Sequence, residues 1–386
     1  MDNPKLTTLP RNPGYKTTSW IAFAFYFLIA FEFFYMVTPF AVYFYSVYNP
    51  ALDLFSSNPL FLWLNQTFLP HVVAETKSPL LNQLHAVGGT LFLAGCLLFL
   101  IGATQVYYHK LFRKREVTGG LYRWARHPQY TGLMIAGLGL LLLWPRFIVL
   151  IAYLSMLFVY FFLARIEERE CLAKFGKAYA DYREITPMFL PWFRGRSNTN
   201  INHRPLAATL LRAMLLYILI VMSGTIVAAQ IKRFSISQLY AVYSDDYCAI
   251  SLTNLDKGTI RNIVTQGLEA LRSSGVSRDY PGENHKGIIY LVPANWEVSE
   301  IPMHVPAEAI SHMHRGRSKK ISHYRVVFTQ AAIPEGSDLK GKAILDQTKS
   351  IDPVLEVIFG TEANRLVDML PPVDGSFRNS THLPLF

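Results

Sequence analysis

Two short stretches of the chain concentrate side chains able to do chemistry. The first is Gly120-Leu121-Tyr122-Arg123-Trp124-Ala125-Arg126-His127-Pro128-Gln129-Tyr130-Thr131-Gly132, and the second opens with Arg165-Ile166-Glu167-Glu168. In the first, Pro128 keeps His127 away from helical angles and is itself suited to the first turn of a helix. The chain is therefore expected to be extended up to His127 and helical from Pro128. Such a helix start presents free backbone N–H groups and the positive end of the helix dipole. Arg126 and His127 add donors at the same place, so an anionic group should bind there. Gly132, one turn along, would let a ligand or a neighbouring helix approach closely.

In the second stretch, Leu172, Phe175, Tyr179 and Tyr182 recur at helical spacing and form one apolar face, with charges on the other. This reads as a helix running from Arg165 to Tyr182 at a membrane surface. Glu167 and Glu168 at its start could accept hydrogen bonds from hydroxyl or amino groups, or a proton from a nucleophile. Taken singly, these residues have plainer uses. Arg126 and His127 suit lipid headgroups, Tyr130 an interfacial anchor, and the two glutamates a solvated helix start. Joint chemistry requires that the intervening chain fold back on itself.

The intervening sequence supports that fold. Tyr130 to Leu143 and Phe147 to Ala164 are apolar stretches broken by Trp144-Pro145-Arg146, which predicts a helical hairpin with a tight turn. Its two motif-bearing ends then meet. Around it, 51% of the 386 residues are hydrophobic, and several apolar runs before Gln230 reach the roughly 18 residues needed to cross a bilayer. The expected spans are Trp20 to Tyr48, Leu84 to Tyr107, the two hairpin arms, and Leu206 to Ala229, about five in all. Pro39 should kink or end the first of these, and Glu32 within it invites a functional role or a buried hydrogen bond. Gly88, Gly89, Gly95 and Gly102 offer close helix contact in the second. Leu60 to Leu64 is too short to span.

Charge sets the orientation. Up to Gln230 there are 20 Lys and Arg against 10 Asp and Glu, and beyond it 17 against 17, so the net charge of +10 belongs to the membrane half. Lys110, Arg113, Lys114, Arg115, Arg123 and Arg126 crowd one loop, which places it in the cytosol and makes membrane lipids, not nucleic acid, the expected contacts. Lys232 and Arg233, just past the last span, point weakly the other way for the C-terminal domain, which five spans put outside. Cys96, Cys171 and Cys248 are too scattered for a disulfide framework or a metal site.

The fold class expected is an all-α multi-pass membrane bundle followed by a smaller soluble α+β domain. The bundle occupies residues 1–230, with a catalytic core at 107–196, and residues 231–386 form the second domain. There, Gln238 to Leu252, Gly287 to Val292 and Tyr324 to Thr329 read as strands and Gly258 to Leu271 as a helix. Asp245-Asp246 reads as a turn. His312, His314 and His323 lack companion ligands, so no metal is expected. Asn65-Gln66-Thr67 and Asn379-Ser380-Thr381 are glycosylation sequons if lumenal in a eukaryote.

Taken together, the two motifs resemble those of the membrane superfamily of isoprenylcysteine carboxyl methyltransferases and phospholipid methyltransferases. That superfamily carries an Arg-His-Pro-x-Tyr-x-Gly stretch, a helical hairpin, then Glu-Glu. The likeness runs from about Gly120 to Pro191, through Phe175-Gly176, Tyr179, Tyr182, Pro187 and Phe189-Leu190-Pro191; Cys171 stands where the superfamily more often has Leu. The resemblance implies S-adenosylmethionine as cofactor, held by Tyr122, Arg126, His127, Pro128, Tyr130, Gly132, Glu167 and Glu168, with Arg126, Glu167 and Glu168 nearest the chemistry. It also implies a membrane-partitioning acceptor: a prenylcysteine carboxylate, a lipid amine or a small thiol. The expected setting is the cytosolic face of a membrane, a bacterial inner membrane in preference to the endoplasmic reticulum. Two alternatives remain, a sterol-type reductase using NADPH and a non-catalytic anchor whose outer domain binds a protein partner.

Overall fold

The computed structural model describes residues 30–46 without 32, 61–113, 117–189, 206–275, 280–298 without 283, 301–304, 310–311, 321–332, 339–348, 351–361 and 364–372. The Glu32 reading, the His312–His314 pair and the Asn379 sequon lie outside them. Residues 33–46 are helical on both sides of Pro39. A short 3-10 turn, Leu62–Asn65, confirms that the apolar run there does not span. Then come α1 (Pro79–Tyr108), α2 (Pro128–Leu143), α3 (Phe147–Phe175), α4 (Lys177–Ile185) and α5 (Leu206–Ser237). Among the described residues three helical stretches are long and apolar enough to cross a membrane: Pro79–Phe112, Phe147–Phe175 and Ala208–Ser237. The helix α2, with 16 residues, is shorter: at 1.5 Å per residue it reaches about 24 Å, less than a bilayer core of about 30 Å.

Small residues decide how α1 and α2 meet. Gly88, Gly95 and Gly102 recur every seven residues on α1, as do Gly132 and Gly139 on α2, and the two rows face each other antiparallel. A Cβ at Gly95 would lie 2.3 Å from the Ala136 nitrogen, and one at Gly139 would lie 2.4 Å from the Phe92 nitrogen. The backbones therefore touch, as packing in lipid favours. Gly89, by contrast, faces open space. At the far end of the hairpin the Trp144-Pro145-Arg146 turn is held by the preceding loop: Phe68 N–H donates to the Pro145 carbonyl (2.9 Å), and Phe147 N–H to that of Gln66 (3.1 Å).

The C-terminal part is a six-stranded mixed sheet of order β1-β2-β3-β6-β7-β8. Its strands are β1 (Tyr240–Tyr243), β2 (Tyr247–Ser251), β3 (His285–Pro293), β6 (His323–Ala332), β7 (Asp352–Gly360) and β8 (Arg365–Leu370); β4 (Trp296–Glu297) and β5 (Ile310–Ser311) pair separately. Asp245 and Asp246 do sit in the turn that splits Gln238 to Leu252 into two strands. The pair β2–β3 is parallel because α6 (Lys257–Ser273) crosses between them, capped by Asp256, whose carboxylate accepts from Thr259 N–H. Ile260, Ile263, Val264 and Leu271 of α6 cover one sheet face. The other face is covered by α7 (Lys342–Gln347) together with Val72, Val73, Ile236 and Leu239 from the helical half.

The two halves are therefore one packed unit at the end of the bundle opposite residue 127. Ala74 N–H donates to the Leu252 carbonyl (2.9 Å) and Lys77 N–H to that of Gln238 (2.9 Å). Lys232, which reads as a topology charge, is also a docking residue. Its Nζ lies 3.1 Å from Asp346 Oδ1 and 3.0 Å from Gln66 Oε1, only 7% exposed, and α5 runs on to Ser237 to deliver it. Asp346 keeps partial access to water, so Lys232→Met is expected to cost about 1–3 kcal/mol. That should appear as faster proteolytic release of the sheet domain, and an unchanged rate would contradict the latch. Asn65 is fully buried beside it, so its sequon is closed in the folded chain.

Candidate active site

The site grows from the N-terminus of α2. His127 is its N-cap, with φ −128° and ψ 61°, and Pro128 is its first residue, as the sequence predicts. Two backbone bonds hold this corner from outside: Arg126 N–H donates to the Pro187 carbonyl (2.9 Å) and His127 N–H to that of Met188 (3.1 Å). Thr131 Oγ1 adds a bond to the Phe189 carbonyl (3.0 Å). The segment after α4 thus pairs with the motif like a short strand, which explains why the Pro187 to Pro191 stretch accompanies it.

The hairpin brings Glu167 and Glu168 back beside Arg126 and His127. Arg126 Nη2 lies 3.2 Å from Glu168 Oε1, His127 Nδ1 lies 3.3 Å from Glu167 and Nε2 3.5 Å from Glu168. Tyr130 donates its hydroxyl to Glu167. Glu168 and His127 are buried, whereas Glu167 is one-third exposed. Two basic and two acidic groups therefore share one desolvated corner. Their contacts are longer than the 2.7–2.9 Å usual for charged pairs. Among the described residues Arg126 Nε, both His127 ring nitrogens and Glu168 Oε1 lack a well-directed hydrogen bond. Buried polar atoms left this way mark a place where further polar atoms fit.

Burial alone would push the His127 ring down, but its contacts with Glu167 and Glu168 outweigh that and raise its pKa above the ordinary 6.5. A raised value means that the imidazolium contributes its full stability below pH 6.5 and loses it as pH rises through the folded value. Wild-type thermal stability should accordingly decline across that window, and His127→Gln should flatten the decline. Melting curves at stepped pH in one detergent check this; parallel declines in both proteins would contradict it.

Other expected residues take supporting positions. Tyr122, in the 3-10 turn Gly120–Arg123, is buried, and its hydroxyl reaches Gln129 Oε1 (2.9 Å) and the Gly102 carbonyl (3.2 Å). Burial, and then the charge of Glu167, push its pKa well above the phenol range. Tyr182 in turn donates to the Tyr122 carbonyl (2.6 Å). Gly132 faces α1 and not the ion pairs: a Cβ there would lie 2.5 Å from the Phe99 nitrogen. Of the two uses expected for Gly132, the structure shows the neighbouring helix. The surface helix expected from Arg165 to Tyr182 is two helices. Residues 165–175 continue α3, and Gly176, at φ 58° and ψ −127°, breaks the chain before α4. That break turns Tyr179 and Tyr182 under the Tyr122 loop and lets Arg126 Nη1 donate to the Arg183 carbonyl (3.3 Å).

Sequence reasoning missed Tyr160. Its buried ring stacks on Tyr130 at 4.8 Å, and Tyr130 stacks at 5.6 Å on His127. Its signal was its place seven residues before Glu167, two turns back on the same face of α3.

Comparison with known proteins agrees with this geometry. The model of the phospholipid methyltransferase family matches residues 84–178, from α1 through both motifs to the start of α4. This segment is similar to that family. Within it, 99 residues are 33% identical to a protein-S-isoprenylcysteine O-methyltransferase of Schizosaccharomyces pombe, covering 24% of this chain and 42% of that one. The Xenopus laevis protein of the same name is 36% identical over 81 residues, covering 20% and 28%. A methanethiol S-methyltransferase of Crocosphaera subtropica is 30% identical over 129 residues, covering 30% and 48%. The chain thus spans less than half the length of each of these relatives. No solved structure matches it.

Proposed function

We propose that this chain is an integral membrane S-adenosylmethionine-dependent methyltransferase acting on an apolar or amphiphilic acceptor. The observation that carries the reading is the buried corner of Arg126, His127, Glu167 and Glu168 at the start of α2, inside the segment shared with the phospholipid methyltransferase family. The donor set fits the cofactor. Arg126 and His127 would hold its carboxylate, and Glu167 and Glu168 its ammonium or ribose hydroxyls, with their negative charge favouring the sulfonium. The bound cofactor supplies an already activated methyl group. The chain's own work is then to orient the acceptor, exclude water and, for a protonated amine or thiol, accept a proton at Glu167, the more exposed carboxylate.

An acceptor arriving from the lipid phase is supported by an open apolar cavity of about 430 Å³ walled by α1 residues such as Phe99, Ala103 and Tyr107 and by Phe33. The basic loop after α1 supports a cytosolic location for the site. A reductase reading is disfavoured because the family model and the relatives that match this segment are methyltransferases. A purely anchoring role is disfavoured because the sheet domain docks at the far end of the bundle and leaves this corner assembled.

Purified protein incubated with methyl-tritiated S-adenosylmethionine and membrane lipid extract should transfer label to an extractable acceptor. Mass spectrometry of that fraction would separate a prenylcysteine ester from a methylated amine or thioether. Absence of transfer to every acceptor class would overturn the reading.

A further inference from the structure

We propose that Tyr160 is a positioning residue that couples the helix at residues 33–46 to the Tyr130–Glu167 pair. The inference rests on reading that pair as part of the cofactor site, and it concerns a residue outside both sequence motifs. Tyr160 is fully buried and projects from α3 between the two.

Its ring and its hydroxyl face different partners. The ring stacks on Tyr130 at 4.8 Å and 27°, and Tyr130 in turn donates to Glu167. The hydroxyl accepts from Phe40 N–H (3.2 Å) and donates to the Met36 carbonyl (3.2 Å). Those two backbone groups are four residues apart, the pair that an α-helix joins directly. The Tyr160 hydroxyl therefore stands at a backbone bond of the first helix immediately after Pro39, a position where an inserted side chain bends a helix. A second tie, from Tyr43 hydroxyl to the Gly137 carbonyl (2.7 Å), anchors the same helix to α2 further along. Between these two ties the helix is fixed, and on the other side of Pro39 it carries Phe33, the cavity wall facing α1.

The consequence is mechanical. Tilting of residues 33–36, as when an apolar chain enters beside Phe33, moves the Met36 carbonyl. Tyr160 carries that motion to the ring of Tyr130 and so to the hydroxyl on Glu167. Acceptor entry and cofactor geometry are thereby linked through one side chain. Tyr160→Phe separates the two roles, because it keeps the stacked ring and removes the hydroxyl at the helix.

Hydrogen exchange of the peptide covering residues 36–40, followed by mass spectrometry on the detergent-purified full chain, tests this. Without ligand, exchange should be about fivefold faster in Tyr160→Phe than in wild type. S-adenosylmethionine should slow the wild-type peptide but leave the Tyr160→Phe peptide unchanged while binding both proteins with similar affinity by calorimetry. Equal ligand-free rates, or equal slowing in both, would overturn the coupling. If wild type binds no S-adenosylmethionine, the cofactor reading fails and Tyr130→Leu decides the coupling by itself. Faster ligand-free exchange at residues 36–40 in that variant supports it, and an unchanged rate overturns it.

Discussion

Glu168→Gln should cost about 3–5 kcal/mol in total, shared between fold stability and S-adenosylmethionine binding, and abolish methyl transfer, although it changes almost no volume. The reason lies in how the charges are shared. Glu168 is 3% exposed and its Oε1 serves both Arg126 and His127, at 3.2 and 3.5 Å. Removing its charge leaves two cationic groups in a desolvated corner with only the partly exposed Glu167 to answer them. Breaking a buried pair in this way carries a cost of that size. The loss divides between folding and binding, so both must be measured. Glu167→Gln should cost less stability, because that carboxylate still reaches water, yet it replaces the charged acceptor of the Tyr130 hydroxyl by a neutral one and should lower the transfer rate. Calorimetry and thermal melts on the two variants separate these outcomes; equal stability losses would mean that the charges are not arranged as described.

The second large effect is expected far from any charge. Gly95→Ala adds one methyl group, but at 2.3 Å from the Ala136 nitrogen and 2.5 Å from the Gly132 carbonyl oxygen it meets backbone, which cannot rotate aside. The helices α1 and α2 must separate along their whole contact. Overpacking of this kind costs about 1–3 kcal/mol when side chains yield and more when main chains must shift. A marked drop in melting temperature and loss of most transfer activity are expected, since α2 carries the Arg126–Tyr130 corner on its first turn. Gly89→Ala is the matched control: nothing lies within 4 Å, and the change should be silent or mildly stabilising. Equal behaviour of the two variants would contradict the backbone contact.

These two predictions mark what sequence could and could not supply. The ion-paired corner was legible because Pro128 fixes where α2 begins and Trp144-Pro145-Arg146 fixes where it turns, so two motifs 40 residues apart had to meet. Glycine spacing announced a close contact but not its partner. Only the antiparallel register reveals that Gly132 faces α1 in that contact and that Gly89 faces open space. Lys232 has a second role that local sequence does not show, because its ion-pair partner, Asp346, lies more than 100 residues away. Three strand-like runs, which cover β1, β2, β3 and β6, and one helix of the sheet domain were readable from their apolar periodicity. The strands β7 and β8 were not, because β7 pairs with β6 and β8 only with β7, and their alternation is weak. Tyr160 had only its spacing from Glu167 to mark it, because its importance comes from Phe40, Met36 and Tyr130, which only the fold assembles around it.

The central claim is that the corner at residues 126–130 and 167–168 holds S-adenosylmethionine. Direct photolabelling of the purified full chain with radiolabelled S-adenosylmethionine, followed by peptide mapping, tests it in one step. Label should appear in the peptides containing Arg126 to Tyr130 or Glu167 to Glu168 and be competed by unlabelled cofactor. Label confined to the sheet domain, or no competed label, would contradict the account.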